Sequence, residues 1–460
     1  MPKKIRADVA VVGGGLAGLV AALWLEREGY EVAVLEARDR VGGRLSTVHQ
    51  DRYWIDEGGQ WLGEGQNRIY GLAFELGLEL FPTHTNGDTI AVIDGTRYRF
   101  RGEMPRLDPL VLADFAQGFW RFERVVRGVS TEAPWRHPRA ARLDAETIGS
   151  WAQRAFLTAK ARKLFELFIS AVFAADPEEI SLLFAAFYVK GGGSFRNMIA
   201  TQNGAQQDRV VGGTQQIVEK LASNLQGPLL LGCPVSEITQ DNQKVEVRGA
   251  KTILSCARAV VAIPPSLAAR IAFEPALPGD KQNLLERMPP GSVIKFHAVY
   301  EEPFWRSEGL SGEAGSTDLP ISFTFDNSPP EANCGVLVGF AEGRNAQALR
   351  KMEESERRRI VLDSFREYFG HPALEPAQYF EKDWSKEPWT RGCYAAHMPP
   401  WALWRYGEAL RAPVGRVHFA GTETARIWPG YMEGAIESGE RVAYEVHRQL
   451  ARARKGKSDV

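Results

Sequence analysis

Near its N-terminus the chain reads DVAVVGGGLAG, an apolar run over residues 7–12 that meets Gly13, Gly14 and Gly15 and passes into an apolar stretch with helical spacing as far as Glu28. Strand, tight turn and helix in that order restrict the fold more than any other feature, because they predict a Rossmann-like dinucleotide-binding unit. Gly13 permits the turn, Gly15 lets a pyrophosphate approach the backbone, and Gly18 lets helix and strand pack closely, while the helix N-terminus faces the phosphate charge. A second apolar run, residues 31–35, ends in Glu36, at about the 20-residue spacing where a carboxylate meets a ribose hydroxyl. A secretory signal is the competing reading, since Lys3, Lys4 and Arg6 precede the apolar segment. Glycines interrupt that segment, no small-residue cleavage site follows, and Glu26-Arg27-Glu28 continues the helix, so no targeting peptide is expected.

Arg38-Asp39-Arg40-Val41-Gly42-Gly43-Arg44 follows the second strand directly. A glycine pair beside arginines suits a second turn of backbone against a pyrophosphate, with Arg44 as counter-charge and Gly43 and Arg38 beside it; a solvated loop is the plain alternative. Asp56-Glu57-Gly58-Gly59-Gln60-Trp61 supplies another glycine turn, whose Gly59 and Gln60 are expected to bring backbone towards a flavin ring. Far downstream stand Cys393-Tyr394 and then Tyr431. A thiol beside one aromatic, with a second aromatic downstream, suggests a flavin tether next to a two-ring amine cage; core packing is the alternative for any such pair.

Longer segments carry a resemblance. LEARDRVGGR from Leu35, GSVIKFHAVYEEPFWR from Gly291, RGCYAAHMPP from Arg391 and FAGTETARIWPGYMEGAIESGE from Phe419 closely resemble segments of the flavin amine oxidase family over nearly the whole chain, and together they favour its monoamine oxidase branch. The resemblance implies an α/β (α+β) fold, with a Rossmann-like FAD-binding domain interleaved with a substrate domain of mixed sheet and helices. It implies FAD as cofactor, with a thioether through Cys393 as an option. It places flavin contacts at Gly421, Glu423, Gly430, Tyr431 and Met432, at Trp384, and at the backbone of Val235. Lys295 would hold a water against flavin N5 and support reoxidation by oxygen, and Tyr394 and Tyr431 would form the cage. Phe168, Ala171, Ile199, Gln206, Phe323 and Phe340 fall where the family lines its amine cavity, the small Ala171 leaving extra room.

Each of these residues also has a plainer reading. Phe165, Phe168 and Val172 share one face of a helix expected over 161–175 and would be core. Lys295, in the apolar run Val293-Ile294-Lys295-Phe296, would sit on the exposed face of an edge strand, since a buried lysine needs partners. Trp384 would be core and Val235 an ordinary strand residue. A helix is expected over 215–225, with strands near Leu229, Val245 and Ile253 and over 259–263.

Composition narrows the function classes. With 460 residues, 44% hydrophobic, the chain can bury a large core in two domains. A formal net charge of -1 argues against nucleic acid or an anionic membrane as main partner. The four cysteines lack C-x-x-C spacing, so neither a metal site nor a disulfide framework is indicated and a reducing compartment is expected. The sequence ends in the polar RARKGKSDV rather than an anchor of about 20 apolar residues, so no membrane anchor and a cytoplasmic location are expected. With no repeat or low-complexity linker, the FAD-binding domain is expected to comprise 1–80, 210–290 and 391–450, the substrate domain 81–209 and 291–390, and 451–460 a polar tail. The partners expected are a small amine and oxygen, with the oligomeric state left open, a homodimer included. The reaction expected is oxidative deamination of a primary monoamine, aromatic or arylalkyl, to aldehyde, ammonia and hydrogen peroxide. A polyamine or L-amino-acid oxidase is the alternative within enzymes, and a non-catalytic flavin-binding protein the alternative outside them.

Overall fold

Residues 9–12 read Val-Ala-Val-Val and are buried without exception, the pattern of a strand covered on both faces. In the computed structural model, which describes residues 2–330 and 334–458, Val9–Val12 lies at the centre of a five-stranded parallel sheet. Its order is Leu229–Leu230, Val32–Leu35, Val9–Val12, Arg258–Val261, Val417–Phe419. Side chains alternate between the two faces. Val9 and Val11 pack with Ala21, Leu25 and Val442, contributed by the helices Leu16–Arg27 and Met432–Ser458. Ala10 and Val12 pack instead with Ile238, Val247 and Leu254 of a second five-stranded sheet.

A seven-stranded sheet runs in the order Gln378–Asp383, Val293–Tyr300, Gly335–Glu342, Phe323–Asp326, Leu310–Ser316, Asp88–Ile93, Thr96–Phe100. Val293–Tyr300 and Gly335–Glu342 are buried along their whole length. Ile294, Phe296 and Ala298 turn towards the helix Glu354–Phe369, meeting Val361 and Phe365. Val293 and Phe340 turn the other way, into a cluster with Trp384 and Cys393. Val293–Tyr300 is paired on both sides, by Gly335–Glu342 and by Gln378–Asp383, so Lys295 is on a central strand and the edge-strand alternative fails.

Helices complete the fold. The helix expected over 161–175 runs Ala159–Phe173, opened by Thr158, whose hydroxyl accepts from the Ala161 amide, and ended by Ala174 in the left-handed region. The helix expected over 215–225 is Gln215–Ser223. Met432–Ser458 stays helical through most of the stretch read as a polar tail; residues 459 and 460 lie outside the described part. Among the described residues no helix is long and apolar enough to cross a membrane.

Candidate active site

The turn after Val12 shows why glycine is needed there. Gly13 has φ of 111°, and a Cβ would lie 2.6 Å from the Ala262 carbonyl oxygen. A Cβ on Gly18 would come within 2.0 Å of the Gly13 carbonyl oxygen, so this residue serves helix–strand packing. Gly15 is the opposite case, since a Cβ there meets nothing within 4 Å. It precedes the helix Leu16–Arg27 with no side-chain cap, and it lines a cavity. Glu36 accepts hydrogen bonds from the Gly14 amide at 2.7 Å and the Arg38 amide at 2.9 Å.

The cavity holds about 670 Å³. It runs from Gly13 and Gly15 past Glu36, Arg38 and Val235, along Gly43, Arg44, Gly59 and Gln60, to Lys295, Trp384 and Cys393. Gly421, Gly430 and Met432 border it, Met432 opening the long C-terminal helix. Beyond lie Tyr394, Tyr431, Phe168, Ala171, Ile199, Gln206, Phe323 and Phe340. Of the candidate site residues, Gly18 and Glu423 are the two that do not line it. Glu423 stands behind Arg44, accepting from Nη1 at 2.6 Å and Nη2 at 3.1 Å, while Arg44 Nη1 also donates to the Tyr394 carbonyl at 2.9 Å. Burial pushes the Glu423 carboxyl up, but the charge and hydrogen bonds of Arg44 outweigh it and hold the group below the ordinary range.

Lys295 is 3% exposed. Its ammonium donates to the Asp56 carbonyl at 2.5 Å, Gln60 Oε1 at 2.5 Å and the Gly58 carbonyl at 3.1 Å. Burial lowers its pKa to about 7, with Asp56 opposing the shift and Arg209 adding to it. The neighbouring Trp384 indole donates to the Glu57 carbonyl at 2.9 Å. The Cys393 thiol is buried and pushed up to about 12 by that burial, with Arg44 pulling the other way. The Cys393–Tyr394 peptide is cis.

Aromatic rings wall the far end. Tyr394 meets Phe340 with ring centroids 6.4 Å apart. Tyr431 packs edge-on against Trp428 at 4.8 Å, and Phe168 stacks on Phe323 at 5.8 Å. Burial raises the pKa of both cage tyrosines above the usual phenol value, so both remain neutral phenols. Gln206 donates to the Met198 carbonyl at 3.0 Å, leaving its Oε1 buried without a partner. Arg196 pairs with Glu103 at the surface and does not line the cavity.

Among the cavity residues not singled out from the sequence are Tyr188 and Glu342. Tyr188 packs against Tyr431 at 6.4 Å, and a Cβ on Gly430 would lie 2.0 Å from its hydroxyl. Glu342 lines the cavity two residues beyond Phe340. For Glu342 a signal existed, because a period of two along GVLVGFAE puts the acid on the same face as Phe340. For Tyr188 none did, since it sits within an apolar helix, Leu182–Gly191, that is buried on every side.

The residues present suit FAD. An uncapped helix N-terminus, a glycine turn with open space before it and an arginine held beside it match a diphosphate; a carboxylate and a long, aromatic-ended cavity match the rest. Among the described residues no group of His, Cys, Asp and Glu side chains could hold a metal ion.

Comparison with known proteins agrees with this chemistry. Residues 16–447 match the family described as flavin containing amine oxidoreductase. The flavin-containing amine oxidase B of Sus scrofa is 39% identical over 454 residues, spanning 96% of this chain and 86% of that protein. Among solved structures, cyclohexylamine oxidase from Brevibacterium oxydans IH-35A is similar with a TM-score of 0.94 and 33% identity over 97% of this chain and 99% of that one. Wild-type putrescine oxidase bound to putrescine gives the same TM-score, 0.94, and 33% identity, covering 97% of this chain and 100% of its own.

Proposed function

Since the chain belongs to the flavin containing amine oxidoreductase family and is a flavin-dependent amine oxidase, we propose that its substrates are aromatic or arylalkyl primary monoamines, and we assign its residues on that premise. Water and oxygen are the co-substrates, and aldehyde, ammonia and hydrogen peroxide the products. The observation that carries this reading is the ring-walled end of the cavity, where Tyr394, Tyr431, Phe168, Phe323 and Phe340 surround a space next to Lys295 and Cys393.

Gly13, Gly15, Gly43 and Arg44 would hold the FAD diphosphate and Glu36 a ribose. The backbone of Val235 would meet the adenine, and Gly59, Gln60, Trp384, Gly421, Gly430 and Met432 would surround the remainder. Bound there, FAD supplies the two-electron acceptor and the route for those electrons to oxygen. The chain's own part is to bind, orient and dehydrate the amine. An apolar enclosure disfavours the ammonium and favours the neutral amine that can be oxidised. Tyr394 and Tyr431 confine its nitrogen between neutral rings. Lys295, held by three protein oxygens and poised near neutrality, would support reoxidation by oxygen through a bound water. Cys393 would attach FAD by a thioether. Within the chain, 1–80, 210–290 and 391–450 form the flavin-holding part and 81–209 with 291–390 the amine-holding part. In support, the parallel sheet draws all its strands from the first set and the seven-stranded sheet from the second.

The likeness to putrescine oxidase raises a diamine as the second reading. A distal ammonium calls for a carboxylate at the end of the cavity away from the reaction, where Phe168 and Phe323 stack instead; the acid among the aromatic residues, Glu342, lies against Tyr394. Peroxide release from benzylamine, tyramine, putrescine and an L-amino acid tests the assignment. Turnover of benzylamine and tyramine above putrescine is the expected result, and putrescine alone as substrate would overturn it. Anaerobic mixing with benzylamine should bleach the flavin band, whereas a non-catalytic flavin protein would not respond.

A further inference from the structure

Glu342 has no role in the chemistry so far described. It closes the strand Gly335–Glu342 and lines the aromatic end of the cavity with Phe340. It is 4% exposed, and its Oε2 is buried without a hydrogen-bond partner. The groups facing it are uncharged: the Ser322 hydroxyl, just before the neighbouring strand Phe323–Asp326, and the Tyr394 phenol, with the Tyr368 phenol of the helix Glu354–Phe369 further off. Among the described residues no lysine, arginine or histidine contributes to its environment. Burial raises its pKa to about 7, with Ser322 and Tyr394 opposing the shift, and both tyrosines stay neutral over that range. A buried acid with a spare oxygen is costly unless a cation or a donor completes it. The cavity it borders receives amines, which arrive from water as alkylammonium ions.

We infer that Glu342 is the group that receives the incoming alkylammonium beside Tyr394, its carboxylate accepting first a hydrogen bond and then the proton from nitrogen. In that step one N–H bond breaks, one O–H bond forms on Glu342, and the electron pair stays on nitrogen; nothing is oxidised. The proton later returns to water. Burial favours the transfer from both sides, because it raises the carboxyl pKa and lowers that of the ammonium. Contact with Tyr394, a wall of the amine cage, assigns Glu342 to the nitrogen that reacts. The inference rests on the monoamine oxidase reading, and its test is chosen to fail separately from it.

The probes are α,α-dimethylbenzylamine, which has no hydrogen on the carbon beside nitrogen and so cannot be oxidised, and its neutral counterpart 2-phenyl-2-propanol. Binding of each to the holoenzyme is read from the change in flavin absorption. At about pH 8, Glu342→Gln should weaken the amine by about tenfold or more, the effect of losing a hydrogen bond to a charged group, and leave the alcohol within about twofold. Wild-type enzyme supplies an arm that needs no variant: amine affinity should fall by up to about tenfold per pH unit below about 7 as the carboxylate is protonated, while the alcohol stays level. Equal loss of both ligands, an unchanged amine affinity in Glu342→Gln, or a flat wild-type profile for the amine would each overturn the inference. If benzylamine still yields peroxide in that event, the monoamine oxidase reading stands; absence of peroxide from benzylamine would be the failure of that reading.

Discussion

Glu423 ties together three stretches of chain that are remote in sequence. Its carboxylate takes both terminal nitrogens of Arg44, at 2.6 and 3.1 Å, and the Ala396 amide at 3.2 Å. Arg44 in turn donates to the Tyr394 carbonyl, so the phosphate-side loop, the segment of the cage tyrosine and the turn Thr422–Thr424 share one ionic knot. Glu423→Gln keeps the shape and removes the charge. Its amide would also turn a donor towards Arg44, leaving a guanidinium partly buried without its partner. Breaking a buried pair from one side costs about 3–5 kcal/mol. Because the Arg44 side chain is 23% exposed against 2% for Glu423, the lower end applies, about 3 kcal/mol. Unfolding entropy grows with chain length, so for a chain of this size that corresponds to a drop in Tm of roughly 3–6 °C.

The assay is chemical and thermal unfolding of wild type, Glu423→Gln, Arg44→Met and the double variant, matched for flavin content. If the pair is the source of the loss, the double variant should be less destabilised than the sum of the singles by at least about 1 kcal/mol, since removing both partners leaves no stranded charge. The pH dependence has a definite sign. The folded carboxyl is held below the ordinary glutamate value of 4.5, so its contribution is present above that value and is lost as pH falls through the lower folded one. The gap between wild type and Glu423→Gln should therefore narrow in acid. A loss below about 0.5 kcal/mol in Glu423→Gln, or strict additivity in the double variant, would refute the reasoning.

Lys295→Met should slow the reaction of reduced flavin with oxygen more than reduction by amine in stopped-flow measurements; the reverse pattern would count against the reoxidation role. The same variant has a stability signature. With a folded pKa of about 7 against 10.5 for an ordinary lysine, the unfolded chain binds the extra proton between those values, so wild-type stability should rise with pH across that window, by at most about 1.4 kcal/mol per unit. Lys295→Met should reduce that slope without abolishing it, because Lys281 is buried with a similarly lowered pKa. Tyr431→Ala should retain FAD and lose turnover, since it removes a cage wall and leaves the glycine turn and Arg44 intact; unchanged turnover of benzylamine and tyramine would remove the cage assignment. Acid precipitation should leave yellow colour with the wild-type protein and release it from Cys393→Ala, and flavin released from both would exclude the thioether.

What could be read from the sequence was whatever local periodicity or local anomaly records. The run Val9–Val12, the turn at Gly13 and the acid at Glu36 lie within one βαβ unit, so spacing alone ordered them, and the helices near 161 and 215 were found to within two residues at each end. Lys295 was legible as an anomaly, a charge in an apolar strand that something must compensate. Its compensators were not legible. Two of the three are backbone carbonyls, of Asp56 and Gly58, and since every residue carries a carbonyl, no residue type announces one. Arg44 and Glu423 were both expected at the cofactor, yet their pairing with each other, across 379 positions, follows from the strands before them, Val32–Leu35 and Val417–Phe419, sharing one parallel sheet, and leaves no trace in either local segment.

Glu342 marks the same boundary from the other side. Its alternation with Phe340 placed it on the cavity face of a strand, and an acid ending an apolar run is as much an anomaly as the lysine. What set it apart from a solvated strand end is that Gly335–Glu342 is internal to the sheet and buried to its last residue, a property of the neighbours and not of the run. Lys295 and Glu342 thus pose one question, what completes a buried charge, and the molecule answers it differently. The lysine has three protein oxygens and needs no substrate to be satisfied. The glutamate has an oxygen left over, which is why a ligand's cation, and not a structural partner, is the group expected to complete it.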